Sequence, residues 1–389
     1  MKGREPHVGI ETSSLHWSRQ GGVSRLLRNF LGSYRSLNGD GLQLSAFHYL
    51  PGNDPLYLDF PDLTPDWAAR FPGKMREKLM PVAVRTRSFD LVHYPCEDLS
   101  PFFWAAAPRV VVTVHAAALH SLPPEVGGVR QPRSWWFSLR HLNRLITRVI
   151  TDSEFAKKEI AEHYLIPPDK IRVVPLGVDG QVFRPGPLSV SECERLRQKY
   201  GVKGPYLLDV CSSHQALKNI PRLLQAFALC RRRGLKHSLV LAGPGGGWQA
   251  EKVGETIEAL QLEESVIPAG FIEEKDLPLL YRGADLFVFP SLYEGFGLPI
   301  LEAMACGCPV ITSRTSSLPE VGGPAAVLID PCDVGGLAET IFSLAKNSRA
   351  RATMRQAGIK RAAGYAWEAT ARATSEVYRE CLLPPRARK

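Results

Sequence analysis

"DLFVFPSLYEGFGLPILEAMACGCPVITS", Asp285–Ser313, reads as a strand, a turn, a helix and a second strand. "DLFVFPS" is a short, nearly unbroken apolar run with the length of a buried strand, and "PVITS" is another. Between them "LPILEAMACG" has helical length, and Pro299 suits a first helical turn, where a missing N–H costs nothing. Two apolar strands joined through a helix make a βαβ unit, which implies a parallel sheet covered on both faces.

The same alternation extends in both directions. In the second half "PYLLDVCSS", "HSLVLAGPG" and "SVIPAGFI" read as strands, with "NIPRLLQAFALCRRRG", "EKVGETIEALQL" and "KDLPLLYRGA" as helices. In the first half "HVGIETS" runs into a Gly-Gly turn and the helical "VSRLLRNFLGSYRSL". "FDLVHYP", "RVVVTVHA", "RLITRVITDS" and "KIRVVPLGVD" follow as strands, and Thr151–Ser153 supply caps for the helix "EFAKKEIAEHYL". "GQVFRPGPLSVS", rich in Pro, Gly and Ser, divides the two series. The expected architecture is α/β: two Rossmann-like domains whose parallel sheets face a central cleft. The expected domains span residues 1–182 and 183–362, and a C-terminal helix in 363–389 has room to pack back on the first.

Composition limits the function classes. The chain has 389 residues, 44% apolar and 22% charged, as in an ordinary soluble globular protein. Its most hydrophobic run, "PFFWAAAPRVVVTV", is interrupted by Pro108 and Arg109 and does not span a bilayer. The N-terminus has no apolar core after its basic residues, so a cytoplasmic location is expected. The eight cysteines are scattered, and Cys306-Gly-Cys308 has no second pair beside it to complete a zinc site. The net charge of +9 suits a phosphorylated substrate or an anionic surface. In Arg70–Arg87 six basic residues and one acid are interleaved with Leu79, Met80, Val82 and Val84. That pattern fits peripheral contact with an anionic membrane at its inner face, or a plain solvated helix surface. No zinc finger or RNA-binding aromatic motif is present, so nucleic acid is not an expected partner.

Chemistry concentrates after the strand that opens Asp285–Ser313. Glu294 follows it, Gly295 and Gly297 let backbone approach a ligand, and the unpaired N–H groups of the next turn form a seat for a diphosphate. Glu302, inside the helix, is placed to accept hydrogen bonds from ribose hydroxyls, and Glu294 to do the same for a sugar beyond the phosphates. A capping acid and a solvated acid are the plainer alternative for the two glutamates; the intervening glycines favour the nucleotide-sugar reading.

With those residues set out, "FVFPSLYEGFGLPILEAMACGCPVITSRTSSLPEVGGPAAVLIDP" closely resembles the donor-binding region of the family-four retaining glycosyltransferases. These enzymes have the two-domain B-type fold. The likeness covers nearly the whole chain and is nearest to bacterial mannosyltransferase-like enzymes of polysaccharide assembly. The resemblance implies that Glu294 contacts the donor hexose, that Glu302 contacts the ribose, and that the backbone of Gly295, Phe296, Gly297 and Leu298 faces the diphosphate. "ALKNIPRLLQAF" is similar to the family's phosphate segment, which places Lys218 against the diphosphate with Asn219 beside it. Ser212 stands near the glycine common in that segment, and Leu217 precedes the lysine where a second basic residue is common. "QGGVSRLLRNF" resembles the first glycine loop, in which Gly21 and Gly22 approach donor phosphate or acceptor. It is not a dinucleotide G-x-G-x-x-G. His115 matches a histidine that contacts the donor sugar; the family often has an aspartate next, where this chain has Ala116. Any role of that acid falls to another residue or is absent.

The function implied is retaining transfer of a hexose, mannose from GDP-mannose first, to a hydroxyl of a glycan, lipid-linked or small-molecule acceptor. Glu294, Lys218 and His115 are the expected catalytic residues. No metal is expected, because no D-x-D is placed to carry one. A nucleotide-sugar epimerase or hydrolase on the same fold, or a non-catalytic nucleotide-sugar-binding protein, is the alternative.

Overall fold

A computed structural model describes residues 4–17, 22–37, 41–48, 60–64, 75, 84, 89–96, 106–115, 143–210, 215–243 and 253–383. Within them stand two six-stranded sheets, every registered pair of which is parallel. The first has the order β2-β1-β3-β4-β5-β6 and the second β12-β11-β10-β7-β8-β9. The first comprises β1 (His7–Glu11), β2 (Gln43–Phe47), β3 (Leu91–Tyr94), β4 (Val110–Thr113), β5 (Arg148–Thr151) and β6 (Ile171–Val173). The second comprises β7 (Tyr206–Val210), β8 (Ser238–Ala242), β9 (Val266–Gly270), β10 (Leu286–Phe289), β11 (Val310–Ser313) and β12 (Ala326–Ile329). The α/β class with two parallel sheets read from the alternating runs is the one observed.

Each sheet reverses its strand order once, between β1 and β3 in the first and between β7 and β10 in the second. Connections leave in opposite directions at such a point, which opens a crevice beyond the carboxyl ends of the two strands. The central strands are apolar on both faces because both faces are covered: β3, β4 and β10 are buried at every position.

The chain falls into two compact units. One holds β1 to β6 together with the last helix, Trp367–Leu382; the other is Val178–Ala366. The boundary lies a few residues before the Pro/Gly-rich stretch that marks it in the sequence. Phe183 packs on Tyr281, with ring centroids 6.2 Å apart, and the Val178 N–H donates to the Tyr365 carbonyl at 2.9 Å, so Val178–Phe183 belongs with the second sheet.

The last helix buries Trp367, Thr370, Ala371, Thr374, Val377, Tyr378 and Cys381, a stripe at helical spacing, of which Ala371, Val377, Tyr378 and Cys381 join the core with Val8, Ile10, Leu91, Val111 and Ile150. Polar contacts help fix its position: Thr370 Oγ1 donates to the Pro175 carbonyl at 2.7 Å, and the Tyr378 hydroxyl lies 2.7 Å from His93 Nδ1. His93 is fully buried on β3, with Thr113 Oγ1 2.8 Å from its other nitrogen, and burial pushes its pKa down to about 3. A neutral imidazole with one donor and one acceptor site is satisfied by two hydroxyls. Tyr378→Phe leaves one buried ring nitrogen unpaired, which costs about 1–3 kcal/mol. A fall in Tm of roughly 3–10 °C is expected in thermal denaturation followed by circular dichroism; an unchanged Tm would show that this bond does not hold the helix.

Candidate functional site

The crevice between β7 and β10 collects the residues that the sequence singles out in the second half. After β10 the chain runs through Pro290 and Tyr293 to Glu294 and turns at Gly297 into the helix Leu298–Ala305. Gly297 has φ +111°, and a Cβ there would lie 3.0 Å from Leu318 Cδ2, so glycine is required twice over. No side chain caps this helix, and Pro299 occupies its first turn. The first-turn N–H groups are thus left for backbone or for a ligand, with the positive end of the helix dipole behind them.

Hydroxyl side chains in and just after β11 hold this loop in shape. Ser317 Oγ lies within donating distance of the carbonyls of Glu294 (2.9 Å) and Phe296 (2.8 Å), and Ser316 Oγ accepts the Glu294 N–H at 3.1 Å. Thr315 Oγ1 donates to the Leu292 carbonyl at 3.1 Å and Thr312 Oγ1 to that of Phe289 at 2.8 Å. Phe296 turns inward, 5% exposed and edge-on to Tyr365, so its backbone rather than its ring is what the loop displays. Thr312, Thr315, Ser316 and Ser317 are not among the residues singled out from the sequence. Their signal is a cluster of hydroxyls at the end of a strand, the residue type that pairs with stray backbone groups.

Lys218 ends the short helix Gln215–Lys218 on the other side of the crevice. Its Nζ lies 2.5 Å from Glu294 Oε1 and 5.1 Å from the centroid of the Phe289 ring. The two side chains are 10% and 15% exposed. An ion pair so shielded loses hydration on both sides, and its two charges hold one another in place. Asn219, in the left-handed region at φ 62°, separates this helix from Ile220–Arg232. Its Nδ2 donates to the carbonyls of Pro290 (3.1 Å) and Pro331 (2.7 Å), and its Oδ1 accepts from Arg222 at 2.9 Å. Asn219 therefore clamps the chain beyond β10 and β12, and so fixes the backbone from which Lys218 projects.

Glu302 lies deeper, 2% exposed, and accepts from the Tyr281 hydroxyl at 3.1 Å. Burial pushes the nearby Cys306 thiol up to about 12, with the Glu302 charge adding to it, and Cys308 is likewise pushed up. Both are buried thiols without nucleophilic character near neutrality.

In the first unit His115 stands just beyond β4. Its Nδ1 is 2.7 Å from Asp152 Oδ2 and its Nε2 is 2.9 Å from the Pro95 carbonyl oxygen. Gly22 begins the helix Gly22–Arg35 after β1. Gly21, Ser212 and Ala116 lie outside the described residues, as does nearly all of Arg70–Arg87, of which Met75 and Val84 are described. The structure thus unites Lys218, Asn219, Glu294 and the Gly295–Leu298 turn at one crevice, sets Glu302 behind it, and holds His115 in the other unit. Among the described residues no group of three His, Cys, Asp or Glu side chains is arranged to hold a metal ion, and no helix is long and apolar enough to cross a membrane.

Comparison with known proteins agrees with this division. Residues 21–182 match the family described as Glycosyltransferase Family 4, and residues 194–361 match that described as Glycosyl transferases group 1. The O-antigen chain mannosyltransferase B of Escherichia coli is 32% identical over 272 residues, which is 70% of this chain and 70% of that protein. The MMP alpha-(1->4)-mannosyltransferase of Mycolicibacterium hassiacum is 29% identical over 344 residues, 84% of this chain and 79% of the relative. In fold, the chain is similar to HepE of Anabaena, crystallised with UDP and glucose, at a TM-score of 0.76 and 20% identity, with 96% of this chain and 100% of that one covered.

The positive φ and tight Leu318 contact at Gly297 make Gly297→Ala a test of the loop. The strain is worth about 1–3 kcal/mol, so the variant is expected to melt roughly 3–10 °C lower. A variant as stable as the parent in a thermal melt would show that the turn relaxes without cost.

Proposed function

The chain belongs to the family-four, group 1 glycosyltransferases, and from that premise we propose that it moves mannose from a nucleoside-diphosphate donor, GDP-mannose, to a glycan hydroxyl with retention of anomeric configuration. The observation that carries this reading is the Lys218–Glu294 pair, 2.5 Å across, at the strand-order reversal and beside an uncapped helix start. The mannosyltransferase relatives at about thirty per cent identity support the choice of sugar.

On this reading the diphosphate rests on the first-turn N–H groups of Leu298–Ala305 and draws the Lys218 ammonium from Glu294. The released carboxylate accepts hydrogen bonds from the sugar. Glu302 takes the ribose hydroxyls in place of the Tyr281 hydroxyl. As the bond between the anomeric carbon and the diphosphate oxygen breaks, its electron pair stays on the diphosphate, the acceptor oxygen bonds to the anomeric carbon, and the acceptor's proton passes to the departing diphosphate. Lys218 and the helix N-terminus stabilise that charge where it develops. A preorganised cation and backbone donors suffice for this role without a metal ion. His115 is read as a contact of the donor sugar, and the acceptor as a hydroxyl of a glycan, a lipid-linked or a small-molecule compound.

A panel of nucleotide sugars tests the donor: GDP-mannose is expected to raise Tm more than UDP- or dTDP-sugars, and a larger shift with UDP-glucose would overturn the assignment. The anomeric configuration of the product, read by NMR, tests retention. The ion pair makes a sharper prediction. Glu294→Gln frees the ammonium, so affinity for GDP should be unchanged or severalfold tighter while turnover falls at least ~100-fold. Lys218→Met should weaken GDP binding about 10- to 100-fold, the worth of a hydrogen bond to a charged group. Calorimetry with GDP and a steady-state assay give both values, and GDP affinity unaffected by Lys218→Met would remove the lysine from the phosphate site.

A further inference from the structure

At the carboxyl edge of the first sheet three adjacent strands converge on one imidazole. Pro95 follows β3, His115 follows β4 and Asp152 follows β5, and these strands are neighbours in the sheet. His115 Nδ1 faces Asp152 Oδ2 at 2.7 Å and Nε2 faces the Pro95 carbonyl oxygen at 2.9 Å. Both partners are acceptors. A neutral ring has one N–H and would aim a lone pair at one of them, whereas an imidazolium donates to both.

The environment of Asp152 leads to the same protonation state. The residue is 2% exposed, and its second oxygen, Oδ1, is buried with no hydrogen-bond partner among the described residues. A carboxylate so deprived of water needs an opposite charge against it. His115 is the side chain bonded to it among the described residues. His93 on β3 is fully buried, held neutral by burial and further disfavoured as a cation by His115.

We propose that Asp152 is a positioning residue for the transfer reaction, which holds His115 as an oriented imidazolium so that its Nε2–H is offered as a donor to a substrate oxygen that displaces the Pro95 carbonyl. This rests on the reading of the chain as a glycosyltransferase with His115 in the reaction, and adds to it the protonation state of His115 and the residue that sets it. A ring that already carries both protons has no lone pair for a proton from the acceptor, so His115 acts as a hydrogen-bond donor and a fixed charge, not as a general base.

The experiment uses the full-length chain and three forms of it: wild type, Asp152→Asn and His115→Gln. The His115 ring is followed by NMR, with His115→Gln identifying its resonances, and kcat and KM for GDP-mannose are recorded from about pH 5 to about pH 9. The wild-type ring is expected to carry both protons through neutrality. Asp152→Asn removes the charge that favours the cation, so the ring should titrate about 1–3 pH units lower, the usual effect of a neighbouring opposite charge. At about pH 8 the variant then has a neutral ring and at least ~10-fold lower kcat, and activity returns as pH falls and the ring is protonated again. A change in KM alone would not fit.

A His115 ring that is neutral near pH 7 in the wild-type chain overturns the proposal without recourse to any variant. So does an Asp152→Asn chain that melts like the parent and keeps a flat kcat profile while His115→Gln is inactive; that result removes Asp152 and leaves His115 in the reaction. Wild-type kcat in His115→Gln instead removes His115 itself, the reading on which the proposal stands.

Discussion

One backbone bond, from the Leu292 N–H to the Leu217 carbonyl at 2.7 Å, joins the chain leaving β7 to the chain leaving β10. Lys218 is the next residue on one side of it and Glu294 lies two residues on at the other. Parallel strands deliver their carboxyl ends to the same edge, and the order reversal makes β7 and β10 neighbours whose connections depart in opposite directions. The bond closes the gap at its base, and the short Lys218–Glu294 contact follows from it. Side chains seventy-six residues apart meet because the backbones that carry them are already tied.

The surrounding structure keeps this geometry by leaving little freedom in it. Asn219 occupies a left-handed conformation and spends its whole amide on two carbonyls and an arginine. Ser317 engages two carbonyls of the Glu294–Phe296 loop, and Gly297 accepts a backbone conformation that other residues resist. Such arrangements cost stability locally and are tolerated where a site needs its groups preset. The first sheet uses the same method in a different place. Three strand ends bring an acid, an imidazole and a carbonyl to one point, with His93 and Tyr378 anchoring the helix Trp367–Leu382 beneath.

Much of this was legible from the residues. Apolar runs and helical spacing located the strands and helices, and the glycine-flanked turn after "DLFVFP" identified Glu294 and the helix start, because those signals are local: burial on both faces demands unbroken apolar strands, and a tight turn demands glycine. Lys218 was found through resemblance, and its partner was not foreseen. Neither was Asp152, whose place after β5 looks like ordinary helix capping until the neighbour on β4 is known. The hydroxyls from Thr312 to Ser317 carried a signal too common to single out. Glu302 was read correctly as helical, but its burial against Tyr281 depends on how that helix packs.

By itself, then, the sequence determined the parallel α/β architecture and the position of the strand, glycine turn and helix that carry Glu294. Both depend on residues within a few positions of one another, where periodicity and backbone stereochemistry act directly. Tertiary structure decided which side chains meet: Lys218 with Glu294 across the reversal of the second sheet, and His115 with Asp152 across adjacent strands of the first. Strand order is set by packing over the whole sheet, no short stretch encodes it, and an ion pair between neighbouring strand ends exists only after that order is established.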